Sequence, residues 1–416
     1  MRRRTNISWL LALLLLLTAL VGCERRPLET MFRPTVRTII RCVWNIEMNI
    51  DVDVDVDVDV DVDVDVDVDV DVAVDPEIAA ELSEPVEKPT GVTLYFFRDG
   101  VYHSQVTTSS VDSVEVQLEP GRYRMYMISQ SPEEYWRMQF EDMTSFTNAA
   151  TTLREATGMS WAARKSDDEL VVENPEVLFA GVSDEFEITT QMTEDYQYYY
   201  TNLTKLRRAA KNNSTKGDTK GGTKSDEEIY YEEQVEHYTL RIPIKATNIV
   251  SQLWVTIYSG NADVLQSVRA STSGMARTFE LTQNTTGGEQ AIQVLREWKL
   301  TMDDTGKRVG HVDGIITTFG LPNGEMPSAQ RDSALNVSAL LIDNSTIADY
   351  TFDVGDKIQK LKPNPGYRYL YRLIFGSVDE PIITLPDVKP PNSGGGGGFV
   401  ANVEDWGEEQ NVDLIL

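Results

Sequence analysis

Short stretches in which apolar and polar residues alternate, separated by turn residues, run through most of this chain. One stretch ends at the turn pair Asp99-Gly100, and another is followed by Glu119-Pro120-Gly121. A period of two places successive side chains on opposite faces of a β-strand, and these turn residues reverse the chain direction. The pattern predicts an all-β fold with minor α content, arranged as sandwiches rather than as βαβ units.

The individual elements follow from the same pattern. Residues 114–118 and 122–127 are predicted to form a hairpin, with a helix start at Ser131-Pro132 and a short helical segment through 149–155. Further strands are predicted at 170–172, 176–180, 185–190, 236–245, 252–258, 276–281, 290–302, 310–319, 333–342 and 367–375.

Two biased segments suggest the domain organisation. Residues 205–228 are rich in Lys, Asn, Ser, Thr and Gly, which is typical of a flexible polar linker. This linker would separate an N-terminal sandwich at 23–204 from a C-terminal sandwich at 229–416. A glycine-rich hinge at 393–398 precedes a predicted terminal hairpin.

The N-terminus has the layout of an export signal. Three arginines follow Met1, residues 10–20 are almost entirely apolar, and the run closes with Leu20-Val21-Gly22-Cys23. The apolar run is too short for a permanent membrane span. The closing tetrapeptide resembles the lipobox of bacterial lipoproteins, which implies removal of residues 1–22 and lipidation of Cys23. The alternative is an ordinary signal peptide with an incidental cysteine.

Charge and cysteine content restrict the partners. The net charge is −28, which argues against nucleic acid because phosphate binding requires a basic face. Membrane attachment would therefore depend on the lipid at Cys23. Cys42 is then the only remaining cysteine, so no intramolecular disulfide can form, and strand alternation predicts that it is a small buried residue.

Residues Asp51 to Val72 form an acidic repeat of eleven Asp-Val pairs. In an extended chain the carboxylates would lie roughly 7 Å apart, which is inside the Debye length of about 8 Å. Repulsion between them predicts an extended, solvated loop. A calcium site is the alternative, but the turn glycine and terminal glutamate of an EF-hand loop are absent.

The sequence contains no recognisable catalytic motif. His103, His237 and His311 are isolated in the sequence, and Asp303-Asp304 is expected to be a solvated surface pair. Neither a nucleophile elbow nor a phosphate-binding glycine loop is present. The sequence therefore predicts a protein that is not an enzyme, with no metal and no cofactor. A tyrosine cluster could stack on sugars or serve as core and rim: Tyr196, Tyr198, Tyr199 and Tyr200.

The lipobox, the Leu118–Tyr123 segment and the closing Trp406 and Val412–Leu416 together resemble the fimbrillin-like lipoproteins of Bacteroidetes. Within that group the chain is most similar to a domain-of-unknown-function family akin to FimB-type anchor and accessory subunits. The resemblance implies two tandem transthyretin-like β-sandwiches and a role in cell adhesion through a fimbrium assembled by β-strand pairing. Cleavage at Arg25 or Arg26 would only release the protein, which favours an anchor or accessory subunit over a stalk subunit.

The predicted partners are fimbrial subunits, and the predicted location is the outer membrane, with its face left open. The candidate subunit contact lies in the terminal segment: Phe399, Val400, Ala401, Val403, Trp406, Val412, Leu414 and Leu416. The alternative function is a glycan-binding surface lipoprotein. That alternative predicts an exposed aromatic platform instead of a core position for the tryptophans Trp136, Trp161, Trp254, Trp298 and Trp406.

Overall fold

A computed structural model describes residues 34–46, 86–159, 162, 169–214, 224–295, 298–324, 333–355, 357–361 and 366–391. These residues belong to two compact units. Of the described residues, the smaller unit contains 34–37, Gln117–Pro120 and those of Ile188–Leu240. The larger unit contains the rest. The fold is mostly β-sheet, which confirms the predicted class.

The strands, numbered in chain order, form four sheets. The eight-stranded sheet runs β3 (Val101–Thr108), β2 (Val92–Arg98), β5 (Gly121–Ser129), β9 (Phe179–Val182), β11 (Leu240–Asn248), β1 (Val36–Asn45) and β4 (Ser113–Leu118), with β10 (Phe186–Ile188) beside β5. The six-stranded sheet runs β17 (Trp298–Asp304), β18 (Val309–Thr318), β12 (Ser251–Gly260), β22 (Leu370–Phe375) and β21 (Gln359–Leu361), with β23 (Ile383–Thr384) beside β12.

The two remaining sheets are smaller. The five-stranded sheet runs β20 (Ile347–Asp353), β19 (Ala334–Leu341), β13 (Leu265–Ala276), β16 (Gln290–Leu295) and β8 (Leu170–Val172). The four-stranded sheet runs β15 (Thr285–Thr286), β14 (Thr278–Glu280), β7 (Ala150–Leu153) and β6 (Met138–Glu141). Short 3-10 turns occur at Pro132–Glu134, Ala262–Val264 and Pro322–Gly324.

The core of the larger unit lies between these sheets. Leu253 and Val255 of β12 belong to one buried cluster with Leu335 and Val337 of β19. Alternate residues of each strand point to the same side, so the six-stranded and five-stranded sheets pack face to face. A second buried cluster joins the eight-stranded and four-stranded sheets: Tyr95, Phe97, Tyr126, Met138, Leu153 and Phe279.

Two helices form most of the smaller unit. Helix α1 spans Thr190–Ser214 and helix α2 spans Asp226–His237. In α1, Thr193, Tyr196 and Leu203 are buried, at separations that place them on one helical face. Neither helix is long and apolar enough to cross a membrane, a finding that covers the described residues.

The predicted flexible linker at 205–228 is wrong at its two ends. Residues up to Ser214 continue α1, and α2 begins at Asp226. Lys, Gln and Arg are good helix formers, and Ser225 caps α2 by accepting a hydrogen bond from the Glu228 backbone N–H at 3.1 Å. The predicted strand at 236–245 accordingly begins later, at Leu240.

Three other local predictions are also corrected. Strands β4 and β5 do form, but β4 pairs with β1 and β5 pairs with β2 and β9, so they are not a hairpin. The helix predicted to start at Ser131 is a single 3-10 turn. The segment predicted to be helical at 149–155 contains strand β7, whose β-branched Thr151 and Thr152 pair with β14.

The sheets also combine strands from both sides of residues 205–228. Strand β9 pairs with β11, β7 with β14, and β8 with β16. Each pair joins one strand before the predicted linker to one strand after it. The sheets therefore do not divide at the linker, because non-local pairing is decided by burial of the sheet faces and not by chain proximity.

Candidate interaction surface

Several residues singled out in the sequence lie outside the described residues. They include Cys23, the Asp51 to Val72 repeat, the 393–398 hinge and every residue of the candidate subunit contact from Phe399 to Leu416. The roles predicted for these residues stay predictions.

The chain that leads toward the terminal segment is fixed to the larger unit. The Leu385 N–H donates to the Gly260 carbonyl at 3.0 Å, and the Asn261 side chain donates to the Leu385 carbonyl at 2.8 Å. Strand β23 lies parallel to β12 just before this point. The chain is thus held by backbone hydrogen bonds before it reaches the predicted hinge.

An arginine strengthens the same attachment. Arg308 Nε lies 2.8 and 3.0 Å from the two carboxylate oxygens of Asp263, and its Nη2 lies 3.0 Å from Asp387 Oδ1. These hydrogen bonds to Asp263 and Asp387 raise the pKa of the Arg308 guanidinium. One cation therefore joins a turn of the larger unit to the segment that follows β23.

A second feature is an aromatic cluster in the smaller unit, centred on Tyr199 of α1. Its ring centroid lies 6.4 Å from Tyr230, 6.2 Å from Tyr231 and 5.4 Å from Tyr238. Tyr198 lies 5.1 Å from Tyr199. A hydrogen bond with Tyr230 is the main cause of a raised pKa of Tyr199. We call this group, Tyr198, Tyr199, Tyr230, Tyr231 and Tyr238, the tyrosine cluster.

The cluster is partly open to solvent. Within the cluster, Tyr198 is 59% exposed and Tyr230 is 49% exposed. Elsewhere on α1, Tyr200 is 47% exposed and Tyr196 is buried at 2%. The predicted group at 196–200 is therefore divided, because successive residues of a helix point in different directions. Tyr230, Tyr231 and Tyr238 were not predicted. The capping pattern Ser225-x-x-Glu228 was the signal that could have identified helix α2, which carries Tyr230 and Tyr231 and ends just before Tyr238.

Tyr199 and Tyr238 are stacked at 15° with centroids 5.4 Å apart, but the other neighbouring rings of the cluster cross. Tyr198 is inclined at 83° to Tyr199, Tyr199 at 74° to Tyr230, and Tyr230 at 68° to Tyr231. A pyranose ring stacks on a flat aromatic face, so rings crossed in this way offer individual faces and edges. The tyrosines therefore do not form the broad platform that the glycan-binding alternative predicts.

An acidic groove lies on helix α2 beside the cluster. Its volume is about 430 Å³, and it is lined by Ile229, Glu232, Glu233, Glu236 and His237. Ile229 is 41% exposed. Arg207 contacts Glu232 at 3.0 Å and Glu228 at 3.2 Å, and Arg37 contacts Glu236 at 3.6 Å. We call this the acidic groove.

Of the five tryptophans named for the glycan-binding alternative, three lie among the described residues. Trp254 is 1% exposed and belongs to the interior. Trp298 is half-buried, and its indole lies against Gly314, where an added Cβ would come within 2.9 Å of the ring. Trp136 is 83% exposed. Trp161 and Trp406 are outside the described residues. The placed tryptophans are thus divided between core and surface.

The larger unit contains a buried polar network around His311. Its Nδ1 lies 2.7 Å from Asp303 Oδ2 and its Nε2 lies 2.9 Å from Asp313 Oδ2. Trp254 and Thr256 both donate to Asp313 Oδ1. Asp303 lies at an exposed position of β17, as expected, but its carboxylate is bonded to His311, which the sequence did not predict. Asp304 instead accepts the Lys307 backbone N–H of the adjacent turn.

The hydrogen bonds of this network shift the pKa values of His311 and Asp313 in the directions that favour their charged forms. Burial acts to lower the pKa of His311, but the hydrogen bonds that the imidazole donates to Asp313 and Asp303 outweigh it and raise that pKa. Burial acts to raise the pKa of Asp313, and the hydrogen bonds from His311 and Thr256 lower it. When protonated, an imidazole between two carboxylates forms an ion pair that ties neighbouring strands together.

Cys42 occupies the predicted buried position, 6% exposed, on strand β1. Burial, with a smaller contribution from the charge of Asp112, raises the pKa of its thiol to about 11. A thiol with this pKa is protonated at neutral pH and is a poor nucleophile.

Among the residues that the structure describes, no group of His, Cys, Asp and Glu is arranged to hold a metal ion.

Comparison with known protein families identifies the family of this chain. Residues 65–296, more than half of it, match the family described as a domain of unknown function, DUF5119. The protein belongs to this DUF5119 family, which confirms the predicted membership of a domain-of-unknown-function family. A comparison with curated proteins found no match.

Solved structures that match this chain come from Bacteroides and Porphyromonas. A candidate adhesin from Bacteroides ovatus is 15% identical, with a TM-score of 0.44 and coverage of 89% of this chain and 99% of that chain. The fimbrial anchor protein Mfa2 from Porphyromonas gingivalis is 9% identical, with a TM-score of 0.38 and coverage of 82% and 90%. The tip fimbrial protein Mfa3 from the same organism is 10% identical, with a TM-score of 0.32 and coverage of 82% and 94%.

Proposed function

We propose that this protein is a non-enzymatic outer-membrane lipoprotein that serves as an anchor or accessory subunit of a fimbrium. Cys23 would carry the lipid, and residues Phe399 to Leu416 would make the subunit contact by β-strand pairing. The tandem transthyretin-like arrangement of its sandwiches belongs to the same proposal. A role in a fimbrium also accords with the solved structures that match the chain, which are described as adhesins and fimbrial proteins.

The attachment at the end of the described chain is the observation that supports the subunit contact. The segment through Asp387 is held to the larger unit by Leu385, Asn261 and Arg308. Five glycines then separate it from Phe399. A fixed base followed by glycines lets an apolar terminal segment reach a neighbouring subunit without unfolding the sheet from which it leaves.

Deletion of Phe399 to Leu416 should abolish association with partner subunits while the sheets stay folded. The measurement is an affinity pull-down of the tagged protein from native outer membranes, run with and without boiling. The expected result is a heat-dissociable ladder of subunits with the full chain and none with the deletion. An unchanged ladder after the deletion would exclude the terminal segment as the contact.

A finer comparison uses the alternation of the last residues. Substituting Ser for Val412, Leu414 and Leu416 changes one predicted strand face, and Ile415→Ser changes the other as a matched control. Strand pairing with side-chain specificity predicts that the triple variant loses the ladder and that the control retains it. If the tagged full chain is recovered as a lone monomer, the fimbrial proposal fails and the glycan-binding alternative, tested on a glycan array, gains support.

A further inference from the structure

The larger unit contains a group of basic side chains that has no role in the proposed subunit contact. Lys357, Lys360, Arg368 and Tyr369 lie on or directly beside strands β21 and β22, and we call these four residues the cationic site. We propose that the cationic site docks the acidic repeat of the same chain, Asp51 to Val72, through ion pairs with the aspartates of the repeat. This contact is independent of the proposed subunit contact.

The sequence around the cationic site is basic in a chain that is strongly acidic. From Lys357 to Arg372 it has five lysines and arginines and neither aspartate nor glutamate, whereas the whole chain has a net charge of −28. The acidic repeat has eleven aspartates and neither lysine nor arginine. The two segments are therefore complementary in charge.

Contacts with Tyr369 and Asn284 hold two of the cations in place. The Lys360 ammonium lies 3.4 Å from the centroid of the Tyr369 ring, and the Arg368 guanidinium lies 5.3 Å from it. Arg368 also donates to the Asn284 side-chain oxygen at 3.1 Å and to the Asn284 carbonyl at 2.7 Å. Burial acts to raise the pKa of Tyr369, but the hydrogen bond from Arg368 and the charges of Arg368 and Lys360 lower it. Positive charge is thus concentrated on side chains with fixed positions.

The cations of this site are not neutralised by nearby acids. In the described part of the chain, Lys357, Lys360 and Arg368 form no ion pair with an aspartate or glutamate, and their contacts are with aromatic rings and, for Arg368, an asparagine. Lys88 of the same unit, by contrast, pairs with Asp112. The charges of the cationic site therefore remain available to carboxylates from another segment.

The chain that follows the acidic repeat enters the structure close to the cationic site. Val86 is the first described residue after the repeat, and it packs on Gly366, where an added Cβ would lie 2.6 Å from the Val86 Cβ. Gly366 is two residues from Arg368. Residues 73–85, which connect the repeat to Val86, span at most roughly 45 Å. The repeat is therefore tethered within reach of the site, and such tethers give effective concentrations in the millimolar range.

The spacing of the repeat allows several ion pairs to form together. A single exposed ion pair contributes little stability. In an extended chain the aspartates of the repeat present a carboxylate roughly every 7 Å on one face, so one short stretch can meet more than one cation of the site. The contact should therefore depend on the set of charges and weaken as salt screens them.

The first test measures how fast the lysines of the site react with an acetylating reagent. The sample is the full chain purified in detergent from native membranes, and mass spectrometry gives the extent of acetylation at each lysine. Lys357 and Lys360 should react roughly threefold more slowly in the unchanged protein than in a variant with Asp→Asn at all eleven positions of the repeat. About 0.5 M salt should remove the difference. Lys245, an exposed lysine of β11, is the matched control and should react equally in both proteins.

A second test identifies the carboxylate that meets the site. A zero-length carbodiimide crosslinker should join Lys360 to aspartates of the repeat, and mixing isotope-labelled with unlabelled protein shows that the two groups belong to one chain. Lys357→Gln with Lys360→Gln should speed the cleavage of the repeat by a protease that cuts before aspartate. The control, Lys245→Gln with Lys389→Gln, removes the same charge from two exposed positions and should leave the cleavage rate unchanged.

Equal acetylation of Lys360 with and without the charges of the repeat would overturn the proposal. Crosslinks from Lys360 only to the terminal segment, to a second copy of the chain or to another protein would overturn it as well. These measurements do not require a partner subunit, and the pull-down that tests the subunit contact does not depend on the cationic site. The two proposals can therefore fail separately.

Discussion

At the scale of single residues, the hydrogen bonds of a polar side chain depend on which residues the neighbouring strands bring beside it. His311 is isolated in the sequence and Asp303 was expected to be a solvated surface acid. Strands β17 and β18 nevertheless pair Thr301 with His311 and bring Asp303 within 2.7 Å of the imidazole. Asp313 approaches the other ring nitrogen from the same strand as His311. No spacing rule identifies this group, because Asp303 lies on a different strand and its distance from His311 depends on the sheet register.

His311→Gln should destabilise the larger unit by about 3 kcal/mol at pH 6, since the buried carboxylate of Asp313 would lose its cation and Asp303 would lose its partner. The folded pKa of His311 is raised, so its stabilising contribution is complete below the unfolded value near 6.5 and is lost as the pH rises through the folded pKa. The cost of the substitution should therefore be smaller at pH 9. Urea unfolding at both pH values measures the difference.

The control for this experiment is His103→Gln, because His103 is exposed on β3. It should change the free energy of unfolding by a few tenths of a kcal/mol or less. An equal cost of His311→Gln at pH 6 and pH 9 would contradict the ion-pair assignment.

At the scale of helices and strands, local patterns predict the element type well where one face is buried. Strands β12, β18 and β19 lie where alternation places them, and Asp99-Gly100, both with positive φ, turns β2 into β3 as predicted. The pattern fails where a strand has little alternation, as in β7, or where tyrosine and polar residues form a helix, as in α1. Tyrosine favours strands, but in α1 the burial of Thr193, Tyr196 and Leu203 on one face decides the outcome.

The close approach of strands β9 and β11 makes Gly181 of β9 sensitive to substitution by a residue with a Cβ. A Cβ at this position would lie 2.2 Å from the Lys245 carbonyl oxygen and 3.0 Å from the Cα of Ala246. Gly181→Ala should therefore separate β9 from β11 and destabilise the protein by about 2 kcal/mol. Thermal unfolding followed by circular dichroism gives the measurement.

Gly288→Ala is the matched control, since its nearest contact would be an ordinary 3.4 Å from the Asn323 side chain. It should leave the melting temperature close to that of the unchanged protein. If both substitutions lower the melting temperature equally, the close approach of β9 and β11 is not the cause.

At the scale of the whole molecule, the described chain consists of a β-rich unit and a unit built on two helices, and its predicted membrane attachment lies at the opposite end of the sequence from its predicted subunit contact. The leader and Cys23 predict a lipid tether, and the segment from Phe399 predicts the contact. Between them, strands from both sides of residues 205–228 share sheets.

Cys23→Ala should abolish lipidation and move the protein from the membrane to the soluble fraction, because its acidic surface provides no attraction to anionic lipid. Metabolic labelling with an alkyne fatty acid, followed by membrane fractionation, makes the measurement. Cys42→Ala is the matched control, since its thiol is buried in β1. Incorporation of the label into the Cys23→Ala protein would contradict the proposed lipidation site.

The sequence by itself determined the β class, most strand positions, the tight turn at Asp99-Gly100 and the family, because these depend on side-chain alternation, turn chemistry and ordered motifs that are local in the chain. Only the tertiary structure decided which strands pair, that β4 and β5 are not a hairpin, that Asp303 bonds His311, and that α1 and α2 bring Tyr199 to Tyr230 and Tyr238. Each of these depends on residues distant in sequence. Their contact is fixed by the joint burial of sheet and helix faces, which no single segment encodes.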